Sequence, residues 1–266
     1  MTCYWAGKKR IADDIATSIL KVVDIFDPER KICVGYWEPF LGMGSVMSKL
    51  IVPLSNEYDE KLIFLGTDTN KKVIDFWNEI KQGWKPPSFK DGEIDYNDYL
   101  NAKDECKKKK KDSISPCDTF IGYSCGFQGQ YFKGITRPEK FGSLITAGYN
   151  SVMKVADNMS SDSTNFHLID FFDYDAIEPI VKSGGFIIYM DPPYKCSTIF
   201  DYKNSKNSFD IVKFWKCAEF LAKNNLVFVS ETEAPSSKWK VIWEKSFNNI
   251  SNNKKYSRVE RLYVCL

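Results

Sequence analysis

The apolar positions of the chain follow two periods, which together predict an α/β protein. Short apolar runs are typical of buried strands, and apolar residues that recur every three or four positions are typical of amphipathic helices. Strands that alternate with helices and end in a hairpin predict a doubly wound, mostly parallel sheet with an antiparallel closing hairpin at its edge. The predicted strands are 32–37, 62–67, 166–169, 186–190, 226–229, 241–247 and 258–265, and the predicted helices are 11–26, 71–81, 209–222 and one that begins near residue 46.

Residues 83–164 differ in character from the segments on either side. They are polar, rich in Lys, Asp, Ser and Gly, and show only short strand-like or helix-like patches. The lysine run 107–111 is interpreted as a solvated helix face or a loop, with an arm that contacts phosphates as the alternative. Within 123–133, glycines, amides and aromatic residues alternate and end on a lysine, as they do on surfaces that read bases and bind phosphates. The candidate contacts to nucleic acid are Gln128, Gln130, Lys133 and Arg137.

Composition limits the classes of protein to which the chain can belong. Its 266 residues suffice for one large α/β domain or for one domain with an insertion, and 43% hydrophobic residues suffice for a core. The net charge of +2 is compatible with a polyanionic partner without requiring one. Eight cysteines lack a Cys-x-x-Cys pair and His167 is the only histidine, so no metal site is expected, and Ser-His or Cys-His catalysis would need His167. No signal peptide or long apolar stretch is recognised, which predicts a soluble intracellular protein, in the cytoplasm or associated with the nucleoid.

The segment Asp-Pro-Pro-Tyr, residues 191–194, directly follows the predicted strand 186–190. Two prolines end the strand, so Asp191 lies at its carboxyl end, where open α/β sheets bind their ligands. A carboxylate, the Pro192 carbonyl and the Tyr194 ring suit one task, which is to hold a flat base that carries an amino group. The two acceptors can take its two N–H bonds and localise the nitrogen lone pair, while the ring stacks on the base. The alternative interpretation is a proline-rich turn with a capping aspartate.

Three other predicted strands end in acidic or glycine-rich residues. The first runs into a glycine-rich turn, residues 38–44, and then a helix, an arrangement in which backbone N–H groups approach a nucleotide-like cofactor. Glu38 would repel a phosphate and attract a sulfonium, which favours S-adenosylmethionine over a dinucleotide. Asp68 is placed to accept from ribose hydroxyls and also to cap the following helix. Asp170 with Phe171 could bind the adenine of a cofactor, or Asp170 could serve only a turn.

Taken together, these motifs resemble the Dam family of DNA adenine-N6 methyltransferases. The likeness covers most of residues 1–82 and 165–266, and it is weak over 83–164. The segments that carry the resemblance are Trp5-Ala6-Gly7 with Lys9, Glu38-Pro39-Phe40 with Gly42 and Gly44, Asp68 with Asn70, Asp170-Phe171, Asp191-Pro192-Pro193-Tyr194, and the closing stretch 256–262.

The resemblance implies a Rossmann-like, S-adenosylmethionine-dependent methyltransferase fold that modifies adenine N6 in double-stranded DNA, after flipping the base out of the duplex. It implies a catalytic domain of residues 1–82 and 165–266 and a smaller inserted target-recognition subdomain, 83–164, that binds DNA. A cognate restriction endonuclease is a candidate partner, and a monomer or weak dimer is expected. By position, the catalytic residues are Asp191, Pro192 and Tyr194, and the residues that bind the cofactor are Trp5, Lys9, Glu38, Phe40, Gly42, Gly44, Asp68, Asp170 and Phe171.

Departures from the family pattern leave several alternatives open. Where the family has Gly-Gly-Lys, this chain has Gly7-Lys8-Lys9, so either lysine could face the cofactor. Residues 126–130 only loosely resemble the family's Phe-Asn-Gly pattern, so no target sequence is assigned. The same fold could methylate cytosine N4, RNA adenine or a protein glutamine, although the leading Asp191 favours adenine. An inactive DNA-binding module is the remaining alternative, and the retained carboxylates argue against it.

Overall fold

The computed structural model describes residues 8, 10–59, 61–108, 115–126, 131–134, 136–193, 209–251 and 254–265. Within them, seven strands form one sheet: β1 (Gly35–Glu38), β2 (Ile63–Asp68), β3 (Thr164–Leu168), β4 (Phe186–Met190), β5 (Leu226–Glu231), β6 (Trp239–Ser251) and β7 (Lys254–Cys265). The helices are α1 (Ala12–Phe26), α2 (Met47–Glu57), α3 (Lys71–Lys81), α4 (Tyr96–Lys108), α5 (Pro116–Ser124), α6 (Pro138–Met159), α7 (Tyr174–Ser183) and α8 (Ile211–Leu221).

The strand order β3-β2-β1-β4-β5-β7-β6 confirms the doubly wound topology that the sequence predicts. Strands β3, β2, β1, β4 and β5 pair in parallel, whereas β7 pairs antiparallel with β5, and β6 with β7. The order reverses at β1, which lies between β2 and β4. Glu38 ends β1 and Asp191 directly follows β4. The two carboxyl groups therefore lie at the topological switch point, where open α/β sheets bind ligands.

Helices cover both faces of the sheet, and the side chains of β4 show how the two layers are separated. Ile187 and Tyr189 pack into the apolar cluster formed with α1, α2 and α3. Phe186, Ile188 and Met190 point to the other face, into the cluster formed with α7 and α8. A strand buried on both faces reads as a continuous apolar run, as it does here. Among the described helices, none combines the length and apolar character needed to cross a membrane.

The segment 83–164 contains more regular structure than its sequence predicts. It forms α4, α5 and the 22-residue α6 rather than short patches only. Phe141 and Ile145 of α6 belong to the same apolar cluster as α1, α2 and α3, and α6 contacts both α2 and α3. On α4 only Tyr99 and Ala102 are buried, which leaves its apolar periodicity too weak to recognise. The division of the chain into catalytic and target-recognition parts stays a prediction.

The closing hairpin is also longer than predicted. β6 and β7 pair from Trp239 opposite Cys265 to Ser251 opposite Lys254, so Asn248 lies within β6 rather than in the turn. Asn, Ser and Lys fill this end of the ribbon. The alternation of apolar and polar residues, from which a strand is recognised, is therefore missing there.

Candidate active site

The carboxyl ends of β1 and β4 bring two acidic side chains together at the centre of the sheet. The strands pair in parallel with Trp37 opposite Ile188. Glu38, the last residue of β1, and Asp191, the first residue after β4, therefore lie at neighbouring strand ends. The negative charge of Asp191 contributes to a raised pKa of Glu38, as expected for two carboxyl groups at close range. The site that the sequence predicts at this edge of the sheet thus contains both of its central carboxylates.

Glu38 is held in a buried position by its neighbours. It is only 3% exposed, and its Oε2 accepts hydrogen bonds from the Tyr36 hydroxyl at 2.7 Å and from the Met47 N–H at 3.0 Å. Burial, followed by the charge of Asp191, raises the pKa of Glu38 to about 8. A carboxyl group that ionises near neutral pH responds strongly to a nearby cation, because a positive charge favours the ionised form. This position therefore suits a cationic ligand.

The turn between β1 and α2 has a backbone conformation that favours glycine. Gly42 and Gly44 have φ values of +46° and +56°, and the Gly44 N–H closes the turn on the Leu41 carbonyl at 2.7 Å. Asp68 stabilises the turn from the neighbouring strand, since its Oδ2 accepts from the Gly42 N–H at 3.0 Å and its Oδ1 from the Asn70 N–H at 2.9 Å. Burial raises the pKa of Asp68. Three of the residues predicted to bind a cofactor are thus connected in one turn.

We expect alanine at Gly44 to disrupt this turn. A Cβ there would lie 2.4 Å from Cε of Met159, which is fully buried, and the positive φ adds backbone strain. The matched control is Gly92→Ala, because Gly92 has φ +74° and nothing within 4 Å of a Cβ. The control should lose about 1–2 kcal/mol of unfolding free energy through strain alone, and Gly44→Ala should lose more.

Equilibrium unfolding and S-adenosylmethionine binding measured by calorimetry separate the two variants. Gly44→Ala should also weaken cofactor binding by about tenfold or more, whereas Gly92→Ala should leave it unchanged. Equal losses of stability and equal cofactor affinity in the two variants would contradict the role assigned to the turn.

The aromatic residues predicted at the cofactor site form a cluster beside the glycine-rich turn. Phe171 is only 2% exposed, and its ring centroid lies 5.1 Å from that of Phe40 and 6.1 Å from that of Trp37. Phe40 is half-buried, so it presents more surface than Phe171 does. Asp170 is exposed, and its Oδ1 accepts from the Phe172 N–H at 2.9 Å. Asp170 therefore stabilises a turn, as one of its two interpretations predicts. A contact between Asp170 and a cofactor stays a prediction.

Several predicted site residues lie outside the described part of the chain. These are Trp5, Lys9, Tyr194, Gln128 and Gln130.

Two of the predicted DNA contacts, Lys133 and Arg137, are described and exposed. Arg137 directly precedes α6, and its guanidinium lies 4.0 Å from the Glu139 carboxylate. Lys107 and Lys108 end α4 with their side chains 68% exposed, which fits the solvated helix face predicted for that part of the lysine run.

Three further charged residues also lie at Asp191: Lys8, for which the sequence left a contact with the cofactor open, and Glu231 and Glu260, which had no predicted role. The Lys8 ammonium is 3.3 Å from Oδ1 of Asp191 and 2.7 Å from Oε2 of Glu260. Glu231, which ends β5, is 3% exposed, and burial raises its pKa, with Asp191 as a further negative neighbour. Glu231 could have been identified as another acidic strand end. Lys8 and Glu260 could not, because 252 residues separate them in the chain.

A cavity of about 390 Å³ lies on the β5 side of this charged cluster. Its walls come from the first half of α8 and from the segment that follows β5, with the Trp215 ring and the Glu231 carboxyl group among them. Oε1 of Glu231 accepts from the N–H and the hydroxyl of Thr232, at 2.7 Å and 3.0 Å. The volume falls in the usual range for small-molecule sites, and the walls are mainly apolar with a few polar groups.

Comparison with known proteins gives a family and a set of distant structural neighbours. The model of the family described as D12 class N6 adenine-specific DNA methyltransferase matches residues 4–258. Two structures of the rRNA methyltransferase aviRa from Streptomyces viridochromogenes, at 1.5 Å and 2.4 Å, are 11% identical to this chain, with TM-scores of 0.43 and 0.41. Each alignment covers 95% of this chain and 84% of the other. No curated protein sequence matches the chain.

Proposed function

The chain belongs to the D12 class of N6 adenine-specific DNA methyltransferases, and we propose that it transfers the methyl group of S-adenosylmethionine to N6 of an adenine flipped out of duplex DNA within one short sequence. The observation that carries the proposal is the position of Asp191, at the switch point of the sheet beside the buried Glu38 and the glycine-rich turn. Family membership accounts for the reaction class, and this geometry supports the roles proposed below for individual residues.

Asp191 and Pro192 are the groups we assign to the target base. The exocyclic nitrogen of adenine is a poor nucleophile, because its lone pair is delocalised into the ring. A carboxylate oxygen of Asp191 and the Pro192 carbonyl can accept its two N–H bonds and localise the lone pair on nitrogen. The nitrogen loses one proton when its new bond forms, and we assign the Asp191 carboxylate to receive it. Tyr194 is proposed to stack on the base, which would contribute about 1–3 kcal/mol.

The residues of the turn fit S-adenosylmethionine as the methyl donor. When bound, this group supplies an electrophilic methyl on a positively charged sulfur. Glu38 is a buried carboxyl group of raised pKa, which suits a positive charge. The left-handed glycines of the turn, Gly42 and Gly44, let the backbone approach a ligand without side chains in the way. Asp68 is proposed to accept from the ribose, and Asp170 and Phe171 to contact the adenine of the donor.

DNA is proposed to bind across the carboxyl edge of the sheet and along the exposed basic residues of 83–164. Arg137 and Lys133 are exposed there, as are the last lysines of α4. Flipping one adenine costs a few kcal/mol, which contacts to phosphates and stacking would offset.

The direct test is methyl transfer by the purified protein to duplex DNA, with S-adenosylmethionine that carries an isotopic label in its methyl group. We expect the label in N6-methyldeoxyadenosine after digestion of the DNA to nucleosides and separation by mass. Label in N4-methyldeoxycytidine, or in RNA or protein substrates offered in parallel but not in DNA, would contradict the proposed acceptor.

A further inference from the structure

The ammonium group of Lys8 bridges two carboxylates at the proposed catalytic centre. Its Nζ lies 3.3 Å from Oδ1 of Asp191 and 2.7 Å from Oε2 of Glu260, and the side chains of Lys8 and Glu260 are 10% and 11% exposed. The Asp191 side chain is 24% exposed, yet its Oδ1 is fully buried. The accessible part of Asp191 is therefore not the oxygen that faces Lys8. The Oδ1 atom thus lies on the interior side of the carboxylate, and the accessible surface belongs to the rest of the side chain.

Among the described residues, the titratable groups near Asp191 other than Lys8 and Glu260 include two carboxyl groups and a phenol. Glu38 faces it from β1, the buried Tyr189 hydroxyl from β4 and Glu231 from β5. Buried carboxylates at close range disfavour one another's ionised forms, and they interact more strongly than they would in water. Among the described residues, Lys8 places a positive charge next to Asp191. Loss of the ammonium would therefore disfavour the ionised form of Asp191.

Glu260 has the geometry to keep the Lys8 ammonium in place. A lysine side chain is long and flexible, and holding it in one position costs rotational entropy. Glu260 lies on β7, whose backbone is paired with both β5 and β6, so its carboxylate projects from a rigid strand. The Lys8 ammonium lies closer to the Glu260 carboxylate, at 2.7 Å, than to the Asp191 carboxylate, at 3.3 Å. The strand thus fixes Glu260, and Glu260 fixes the ammonium.

We propose that Lys8 and Glu260 are positioning residues for methyl transfer, in which Glu260 on the closing strand holds the Lys8 ammonium against the buried oxygen of Asp191. This keeps the Asp191 carboxylate ionised and presents its other oxygen to the amino group of the target adenine. The inference rests on the proposed function and adds two residues to its site. A purely structural ion pair that tethers the start of the chain to the sheet is the competing explanation, and it makes different predictions.

The first experiment follows the Asp191 carboxyl group itself in the unliganded protein, by carbon-13 NMR titration of its side-chain signal. In Lys8→Met, which keeps the length of the side chain but removes the charge, the midpoint of that titration should move upward by about 1 pH unit or more. Lys8→Arg should move it back towards the wild-type value. Lys182→Met is the matched control, since Lys182 is 70% exposed on α7 and pairs with Glu178 on the same helix, and it should leave the midpoint unchanged.

The second experiment measures single-turnover methyl transfer against pH for the same variants and for Glu260→Gln. Lys8→Met should lower the rate about tenfold or more at pH 7, because the Asp191 carboxylate loses the ammonium that holds it, and the acidic limb of the pH–rate profile should move upward together with the Asp191 titration midpoint. Lys8→Arg should restore most of the rate, and Glu260→Gln should show a smaller loss in the same direction. The effect should fall on the rate at saturating DNA and cofactor rather than on their dissociation constants.

Either of two results would overturn the inference. One is an unchanged titration midpoint of Asp191 in Lys8→Met. The other is a loss of rate in Lys8→Met that is fully explained by a loss of thermal stability, while the pH profile of the rate stays the same as in the wild-type protein. The NMR titration needs no substrate, so it still decides the positioning role if the wild-type protein methylates something other than adenine in DNA.

Discussion

Replacing Asp191 with alanine is expected to lower single-turnover methylation of adenine by about 10³-fold or more, because the alanine variant keeps only the Pro192 carbonyl and loses the charged acceptor for the amino hydrogens of the base. Rapid-quench assays with labelled S-adenosylmethionine and a saturating DNA duplex measure this rate. Asp191→Asn should be nearly as inactive, because the amide replaces one acceptor oxygen with an N–H donor that opposes the amino group. Cofactor affinity should stay within about twofold of wild type in both variants, because Asp191 is assigned to the base.

Asp191→Ala should remain folded, which makes the loss of activity interpretable. The substitution removes a partly exposed carboxylate, and Lys8 keeps its 2.7 Å ion pair with Glu260. Asp157→Ala is the matched control, since Asp157 is exposed on α6, away from the carboxyl edge of the sheet, and it should retain the wild-type rate. Methylation by Asp191→Ala within about tenfold of the wild-type rate would show that another group holds the base.

The second large effect concerns Glu38 and the charge of the methyl donor. Glu38→Gln should weaken S-adenosylmethionine binding by about tenfold while changing the affinity for S-adenosylhomocysteine, the neutral thioether, by less than about twofold. The Gln carbonyl can still accept the hydrogen bonds of Tyr36 and Met47, so the variant removes mainly the charge. Calorimetric titration of both ligands gives the ratio of their dissociation constants. Contacts to the adenosine and amino-acid parts, which the two ligands share, cancel in this ratio.

The pH dependence of this ratio gives a further check. Glu38 has a pKa of about 8 in the folded protein, and the sulfonium favours its ionised form. Preference for the sulfonium over the thioether should therefore rise as the pH increases from 6 through about 8, and then level off. In Glu38→Gln the preference should be independent of pH over this range. A ratio that is equally flat in the wild-type protein would mean that Glu38 does not sense the donor charge.

The same pKa predicts that Glu38 lowers stability at neutral and alkaline pH. The pKa of Glu38 is about 8 in the folded protein, compared with 4.5 for a free glutamate side chain, which represents the unfolded state. The folded state therefore binds the proton more tightly. The resulting stabilisation is fully present below pH 4.5 and is lost as the pH rises to about 8. Glu38→Gln should therefore melt at a higher temperature than wild type at pH 8, by about 3 °C or more, and the difference should shrink towards pH 5. Differential scanning calorimetry of the two proteins across this range measures it.

Much of the fold and the centre of the site could be predicted because they depend on local patterns. The apolar run 186–190 and the prolines after it place Asp191 at a strand end from sequence alone, and Glu38 and Asp68 were located in the same way. Such positions need only the periodicity of the chain and the rule that parallel strands end at one edge. The role of Asp68 in bonding to the Gly42 N–H was not predicted, since it depends on how two adjacent strand ends meet.

What could not be predicted depends on contacts between distant segments. Lys8 and Glu260 meet near Asp191 only because β7 inserts between β5 and β6, a pairing order that the sequence does not encode locally. The burial of Phe171 among Trp37 and Phe40 likewise required the packed structure. Helix α6 was missed because a glycine, Gly148, interrupts its apolar face, although the helix packs against α2 and α3.

The central claim is that this chain methylates adenine N6 in DNA through a site built on Asp191. The most direct measurement is long-read detection of modified bases in DNA from cells that lack other adenine methylation and express either the wild-type chain or Asp191→Ala. The account predicts N6-methyladenine at one position of a single short sequence in the wild-type sample and none in the variant. Unmodified adenine in both samples, despite folded and expressed protein, would contradict it, as would equal methylation in both.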